Sequence, residues 1–233
     1  MYKRQDFALE LIPHFDDQEN HFREIVGDGQ TRLTLCKFAC LLHDIAKPTT
    51  RTIDNNNRIR FLGHDKKGSE MTEVILKRLR FSRAATSIVA TQVRQHLRPS
   101  QMAPNGELPS KKAMYRYYRD LGEESIDTLF LNMADYMAAR GPLLKKDEWK
   151  AHCKIINHII SSGLAEKKPQ KQERLVTGHD IMDGLRLSPG RDIGILIEEV
   201  TESYVEGKVT TKEEAMELVR KLVESGDYFE KEC

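Results

Sequence analysis

Side chains that could bind a metal ion and hydrolyse a phosphate ester are adjacent at His43-Asp44. The pair ends the apolar run 33–42, and Lys47 follows within the next turn. Metal-assisted hydrolysis needs a nitrogen lone pair, a hard anionic ligand and an open position for water. A nearby lysine would offset the charge of a bound phosphate. The pair therefore indicates metal-dependent phosphate ester hydrolysis, provided that the chain supplies further ligands.

Three more candidate ligands are His64, His96 and Asp135, each at the end or in the interior of a predicted helix with apolar neighbours. A buried carboxylate such as Asp135 is costly unless it is paired or metal-bound. Taken singly, each has an ordinary alternative, because isolated histidines are usually structural or exposed and Asp135 could pair with an arginine. Together with His43-Asp44 they predict one metal-binding set.

The hydrophobic periodicity that positions these residues is helical along most of the chain. The predicted helices cover 9–15, 33–46, 71–79, 82–97, a tyrosine-rich segment capped by Ser110, 123–140, 146–162, 193–200 and a final helix opened by a capping box at 210–213. Alternating residues around three asparagines predict a small hairpin at 51–61. The expected fold class is all-α, a helical bundle with a small β-hairpin insertion, followed by a smaller helical C-terminal unit.

The predicted domain boundaries follow changes in composition. Residues 6–165 are expected to form the first domain, 166–174 a Lys- and Gln-rich linker around Pro169, and 175–233 the C-terminal unit. Residues 1–5 run directly into a mid-helix pattern and resemble the translation of a sequencing-adaptor end. We expect these five residues to be a scar, and the natural protein to continue upstream.

Charge is unevenly distributed behind a formal net charge of +1. Ten basic residues and one acid lie between Lys77 and Arg119, whereas 192–233 contain twelve acids and five bases. The basic tract, with its interleaved tyrosines, fits contact with RNA as well as it fits a solvated helix face. The candidate RNA or phosphate contacts are Arg51, Arg94, Arg98, Lys111, Lys112 and Arg116.

The four cysteines show neither CxxC spacing nor a secretory framework, which favours a reducing cytoplasm. Cys36 and Cys40 share a helix face and are expected to be small core residues rather than ligands. No apolar stretch has the length of a membrane span, so we expect no membrane partner.

The order His-Asp, His, His, Asp on successive helices resembles the HD superfamily of metal-dependent phosphohydrolases. Longer segments are similar to the HD region of bacterial tRNA nucleotidyltransferases (CCA-adding enzymes) and poly(A) polymerases. These segments are 42–51, 58–65, 76–82, 93–99, 134–142, 175–182, 189–194 and 206–215. The similarity covers most of 33–222.

The resemblance implies a divalent metal ion, such as Mg²⁺, Mn²⁺ or Ni²⁺. Its implied ligands are His43, Asp44 and Asp135, and the implied catalytic or phosphate-lining residues are His64, His96 and Lys47. Related HD regions are associated with phosphomonoesterase and 2′,3′-cyclic phosphodiesterase activity. The implied substrates are nucleotides or RNA ends, and the implied partner is tRNA or another RNA.

Two departures from the family pattern leave alternatives open. The family has a further histidine on the helix before the His-Asp pair, where this chain has Arg4-Gln5-Asp6; His14 and His21 are the upstream substitutes. The Gly-rich strand and paired aspartates of a nucleotidyltransferase head do not occur in these residues, so we expect no nucleotide addition by this stretch alone. The chain could be an HD phosphohydrolase region, a non-catalytic neck and body that binds tRNA, or a free-standing HD nucleotidase. The tail segments argue against the third.

Overall fold

The computed structural model describes residues 6–166 and 175–226 and divides the chain into two compact units. One unit comprises Met1–Pro109 and Tyr117–Ala165, and the other comprises Ser110–Arg116 and Glu166–Cys233. The predicted scar at 1–5 and residues 167–174 of the predicted linker lie outside the described residues. No helix in the described ranges is both long enough and apolar enough to cross a membrane.

Helices form most of both units, which confirms the predicted all-α class. In chain order they are α1 (Asp6–Glu10), α2 (Gln18–Arg23), α3 (Arg32–Leu42), α4 (Lys47–Thr50), α5 (His64–Arg78), α6 (Arg83–Gln95), α7 (Arg98–Gln101), α8 (Lys111–Leu121), α9 (Ser125–Arg140), α10 (Lys146–Glu166), α11 (Gly178–Leu185), α12 (Arg191–Val205) and α13 (Lys212–Ser225). Short 3₁₀ turns at Gly122–Glu124 and Gly141–Leu143 flank α9.

Two short antiparallel strand pairs interrupt the helices. The predicted hairpin is present as β3 (Thr52–Ile53) and β4 (Ile59–Arg60), with Ile53 opposite Ile59. A second pair, β1 (Ile25–Gly27) and β2 (Gln30–Thr31), was not predicted. Its turn residues Asp28 and Gly29 both have positive φ angles, 54° and 69°. Asp-Gly is a strong hairpin signal, but strands of three and two residues carry too little alternation to be recognised.

The core beside the candidate ligands is built from α3, α5, α6 and α9. Its buried side chains are Leu35, Cys36, Ala39, Leu42, Leu76, Ala85, Val89, Val93 and Leu131. Gly68 allows α5 to approach closely, because a Cβ there would lie 3.3 Å from Val93 Cγ1 and 3.4 Å from the His43 carbonyl oxygen. The hydroxyl of Ser69 donates to the Ala90 carbonyl (2.9 Å) and joins α5 to α6. Close packing of these helices holds the ends of α3 and α6 beside the start of α5.

The predicted helix over 33–46 was too long, since α3 ends at Leu42. Residues 43–46 instead form turns, in which the Ile45 N–H donates to the Leu42 carbonyl and the Lys47 N–H donates to the Asp44 carbonyl, and Pro48 lies in the first turn of α4, where its missing N–H costs nothing. The chain therefore bends at 43–46 before α4 begins at Lys47. This bend places His43 and Asp44 at a helix end.

Helix starts agree with the predicted caps at two of three places. The side chain of Ser82 accepts from Ala85 N–H, and that of Ser110 accepts from Ala113 N–H, both at 3.2 Å. The capping box predicted at 210–213 was wrong by one residue, because Thr211 and Glu214 form it.

The second unit has its own core, formed by residues of α11, α12 and α13 and of the segments just before α11 and α13. Its buried members are Val176, Ile181, Ile193, Leu196, Val200, Val209, Ala215 and Val219. A second capping box, formed by Thr177 and Asp180, opens α11.

Candidate metal centre

The five candidate ligands come together, four of them at the ends of three helices and the fifth within a fourth helix. His43 and Asp44 follow α3, His64 begins α5, His96 follows α6, and Asp135 lies in α9. Their donor atoms form two groups in which all atoms lie within 4.8 Å of one another. One group is His43, Asp44 and Asp135, and the other is Asp44, His64 and His96. Asp44 belongs to both groups.

Each of the three imidazoles is oriented by the same backbone contact. Nδ1 lies 2.8 Å from the Cys40 carbonyl oxygen in His43, 2.6 Å from that of Phe61 in His64, and 2.6 Å from that of Val93 in His96. A carbonyl oxygen only accepts, so Nδ1 carries the hydrogen and, in the neutral ring, the lone pair is on Nε2. Metal-binding histidines typically donate a hydrogen bond from the ring nitrogen that does not bind the metal.

The other side of each ring meets no hydrogen-bond partner among the described residues. The buried atoms without one include Nε2 of all three histidines and Oδ1 of Asp44. His43 Nε2 lies 3.3 Å from an oxygen of Asp44 and 3.3 Å from one of Asp135, and His64 Nε2 lies 3.5 Å from Asp44 Oδ1.

These separations fit a bound cation. Two ligands that are each about 2.1 Å from one ion, at ordinary coordination angles, lie roughly 3.0–3.4 Å apart. Without a positive charge between them, the nitrogen lone pairs would face carboxylate oxygens, which is unfavourable. A divalent metal ion or a proton satisfies this arrangement.

The pKa shifts also indicate that the cluster favours a positive charge among these donor atoms. Burial opposes protonation of His43, but its contact with Asp135, its hydrogen bond to the Cys40 carbonyl and the charge of Asp44 outweigh burial and raise its pKa. The same contact with His43 lowers the pKa of Asp135. Burial lowers the pKa of His96, so this imidazole stays neutral and keeps its lone pair. The cluster thus favours one positive charge beside His43 and neutral imidazole at His96.

Lys47 lies at the rim of the cluster. Its Nζ is 2.6 Å from Asp44 Oδ2 and 5.7 Å from the centre of the Phe61 ring. The side chain is 38% exposed, which leaves the ammonium accessible to an approaching anion.

Asn132 and Gly68 also position the candidate ligands, although neither was predicted from the sequence. The Asn132 side chain donates from Nδ2 to the His96 carbonyl (2.8 Å) and fixes the end of α6 against α9. Gly68 could have been found from its spacing, because it follows His64 by four residues and therefore lies on the same face of α5.

The two upstream histidines do not join the cluster. His21 Nε2 lies 2.7 Å from Asp127 Oδ1, and its ring packs edge-on against Phe15 and Phe22. His14 is exposed. Neither appears in the ligand groups of the described residues.

The predicted RNA contacts fall into two sets. Arg98 pairs with Asp120 (2.8 Å), and both Lys112 and Arg116 pair with the buried carboxylate of Glu202, each through an oxygen at 2.7 Å. Arg51, Arg94 and Lys111 are exposed and have no ion pair with another described residue. The second set therefore offers guanidinium and ammonium groups that form no ion pair with another described residue, although the charge of Arg94 helps to lower the pKa of Glu70.

Comparison with known proteins places this geometry in a family. The chain matches the HD domain model over residues 13–140, a range that contains all five candidate ligands. It is 32% identical over 181 residues to a CC-adding tRNA nucleotidyltransferase of Thermus thermophilus, covering 77% of this chain and 38% of that protein. It is 31% identical over 192 residues to an A-adding tRNA nucleotidyltransferase of Deinococcus radiodurans, covering 82% of this chain and 42% of that protein.

The chain spans about two fifths of the length of these two relatives. The family match alone covers more than half of the chain. The chain therefore belongs to the HD domain family, and it is similar to part of the tRNA nucleotidyltransferases.

Proposed function

We propose that the chain is a metal-dependent phosphohydrolase region of a tRNA-nucleotidyltransferase-like protein. Its substrates would be phosphomonoesters or 2′,3′-cyclic phosphates of nucleotides or RNA ends, and its location the cytoplasm. The observation that carries this proposal is the convergence of three imidazole Nε2 atoms on Asp44 and Asp135, with each Nδ1 held by a carbonyl.

The donor set suits a divalent cation. His43, Asp44 and Asp135 would hold one ion, and Asp44, His64 and His96 provide a second, overlapping group. Mixed imidazole and carboxylate donors are common to several first-row divalent metals, so metal availability decides which one is bound. When bound, the cation would supply an activated water and polarise the phosphoryl oxygen.

The remaining chemistry falls to side chains around the ligands. Lys47 can offset the negative charge of the substrate phosphate, because its ammonium lies at the exposed rim of the cluster. The neutral, fully buried His96 suits a ligand or a proton acceptor. His64, which is slightly less buried, would donate the proton to the leaving oxygen in the state in which its Nε2 is protonated and not bound to a metal.

A second candidate function is non-catalytic binding of tRNA. It is favoured by the exposed cations Arg51, Arg94 and Lys111 and by the similarity to tRNA nucleotidyltransferases. In this alternative the histidine cluster holds a structural metal or only a proton. Metal-dependent turnover separates the two functions.

The test is phosphate release from p-nitrophenyl phosphate and hydrolysis of 2′,3′-cyclic AMP, with Ni²⁺, Mn²⁺ or Mg²⁺ added to the metal-free protein. We expect turnover with at least one metal, and Asp44→Asn should reduce it by at least about a hundredfold, since Asp44 belongs to both ligand groups. Asp183→Asn is the matched control, because it removes the same charge from an exposed position in α11. Equal rates in the two variants, or no turnover by a protein that binds the metal, would contradict the phosphohydrolase proposal and support non-catalytic binding of tRNA.

A further inference from the structure

A pocket of about 590 Å³ lies at the other end of the α5–α6 pair from the ligand cluster. It is lined by Glu73, Lys77, Phe81, Arg83, Thr86 and Ser87. His64 begins α5 and His96 follows α6, so a rise of 1.5 Å per residue puts Lys77 and Arg83 roughly 20 Å from the ligands. The pocket is therefore separate from the metal centre, and its volume is typical of small-molecule sites.

Two cations, Lys77 and Arg83, and one acid, Glu73, line this pocket. Lys77 and Arg83 are exposed and have no ion pair with another described residue, and the same holds for Arg78 and Arg80 at the turn between the helices. The nearby Asp28 carboxylate already accepts from the backbone N–H of Ser82, at 2.5 Å. The excess of positive charge among the lining side chains, with Arg78 and Arg80 in the adjacent turn, favours an anionic ligand.

The other lining groups favour more than a simple anion. Phe81 is half-buried and packs edge-on against Phe38, with ring centres 5.0 Å apart, so it is held in place and offers an aromatic surface to the pocket. Glu73 would repel a bare phosphate but can accept hydrogen bonds from sugar hydroxyls or from the amino group of a base. Thr86 and Ser87 add hydroxyl groups along α6.

We propose that this pocket binds a nucleotide. Lys77 and Arg83 contact the phosphate, Phe81 packs against the base, and Glu73 accepts from a sugar hydroxyl or a base amino group. Cations on phosphate and an aromatic ring on a base are the usual elements of nucleotide and single-strand recognition. The nucleotide is either a free molecule or one unit of an RNA strand.

The test measures binding by the full chain carrying Asp44→Asn, in buffer with EDTA, so that the metal centre does not contribute. The probes are adenosine 5′-monophosphate, inorganic phosphate and a fluorescent ten-residue oligoadenylate RNA. The variants are Lys77→Gln, Arg83→Gln and Phe81→Leu, which keeps apolar packing against Phe38. Arg78→Gln is the matched control, because it removes the same charge one residue from Lys77 but does not line the pocket.

We expect Lys77→Gln and Arg83→Gln each to weaken nucleotide binding by about tenfold or more, and Arg78→Gln to change it less than about twofold. Phe81→Leu should weaken binding of the nucleotide and leave that of phosphate unchanged. Displacement of the RNA by the free nucleotide would identify a shared site, and binding of the free nucleotide alone would identify a small-molecule site.

Three results would overturn the proposal. They are equal losses in Lys77→Gln and Arg78→Gln, phosphate binding as tight as that of the nucleotide, and no binding of either adenine probe at millimolar concentration. Because every measurement uses the Asp44→Asn chain without metal, the outcome does not depend on phosphohydrolase activity.

Discussion

At the scale of single residues, the candidate metal centre depends on how each histidine is oriented. A carbonyl three residues earlier holds Nδ1 of His43, His64 and His96, and all three histidines share a ligand group with Asp44. Rotation of any one ring would exchange a donor for an acceptor. The backbone at the start or end of each helix therefore selects the tautomer that can bind a metal.

Because His152 in α10 is buried, we expect the free energy of unfolding to fall in acid. Its ring is buried and stacked on Tyr136, with ring centres 4.0 Å apart, and burial, reinforced by the charge of Arg140, lowers its pKa to about 4. Below about pH 6.5 the unfolded chain binds a proton at this residue that the folded chain does not, so stability falls as the pH decreases towards 4. We expect His152 to account for a loss of roughly 3 kcal/mol across this interval.

Chemical denaturation of the wild type and of His152→Phe between pH 7 and pH 4 measures this effect. The variant should lose less stability over the interval, whereas substitution of the exposed His179 by Asn should leave the slope unchanged. Parallel pH profiles for wild type and His152→Phe would show that His152 is not responsible.

At the scale of helices, a buried polar network joins α2, α3, α6 and α9. The carboxylate of Asp127 is fully buried; it lies 2.7 Å from His21 Nε2 and accepts hydrogen bonds of 3.4 Å from both Arg32 and Gln92. Arg32, itself 3% exposed, also contacts Glu24 and Glu123. The network fixes the helices that carry the metal ligands.

Removal of Asp127 should therefore be strongly destabilising. Asp127→Ala leaves the buried Arg32 and His21 without their shared acceptor, and breaking such a pair typically costs about 3–5 kcal/mol. Urea denaturation should show this loss, whereas Glu217→Ala, which breaks a surface pair with Arg220, should cost less than about 1 kcal/mol. Similar losses in the two variants would mean that the Asp127 network contributes little.

The sequence predicted helices better than it predicted their ends and contacts. Periodicity located α5, α6, α9 and α10, and Ser82 identified the start of α6 correctly. The end of α3 was misplaced because the apolar pattern continues through Ile45 and Ala46. Helix patterns also could not show that His21 faces Asp127, since their pairing joins residues 106 positions apart in the chain.

At the scale of the whole molecule, the basic tract is only partly available to RNA. The sequence gives ten basic residues in 77–119, but Glu202 lies more than 80 positions beyond Arg116 and neutralises both Lys112 and Arg116. A charge count along the chain cannot reveal pairing of this kind. The exposed Arg51, Arg94 and Lys111 remain as the better candidates.

This distinction predicts unequal effects on RNA binding. If RNA contacts the exposed set, the triple variant Arg51→Gln, Arg94→Gln and Lys111→Gln should have a flatter plot of log K against log salt. The magnitude of the slope should fall by up to about two to three, because each lost phosphate contact removes about 0.7–0.9 from it. Lys112→Gln and Arg116→Gln should change the slope less, and should instead destabilise the second unit, because each removes a cation that offsets the charge of the buried Glu202 carboxylate. Fluorescence anisotropy with a tRNA, between about 50 and 200 mM salt, measures the slopes. Equal slopes for the two sets of variants would contradict the distinction.

The most direct test of the metal centre is metal content and affinity, independent of activity. Metal-free wild type, Asp44→Asn and the charge-matched Asp183→Asn are each titrated with Mn²⁺ and Ni²⁺ by calorimetry, and the bound ion is counted by mass spectrometry after dialysis. We expect at least one ion per chain in the wild type and Asp183→Asn, and at least about a hundredfold weaker binding in Asp44→Asn. No bound ion in the wild type, or equal affinity in all three proteins, would contradict this expectation.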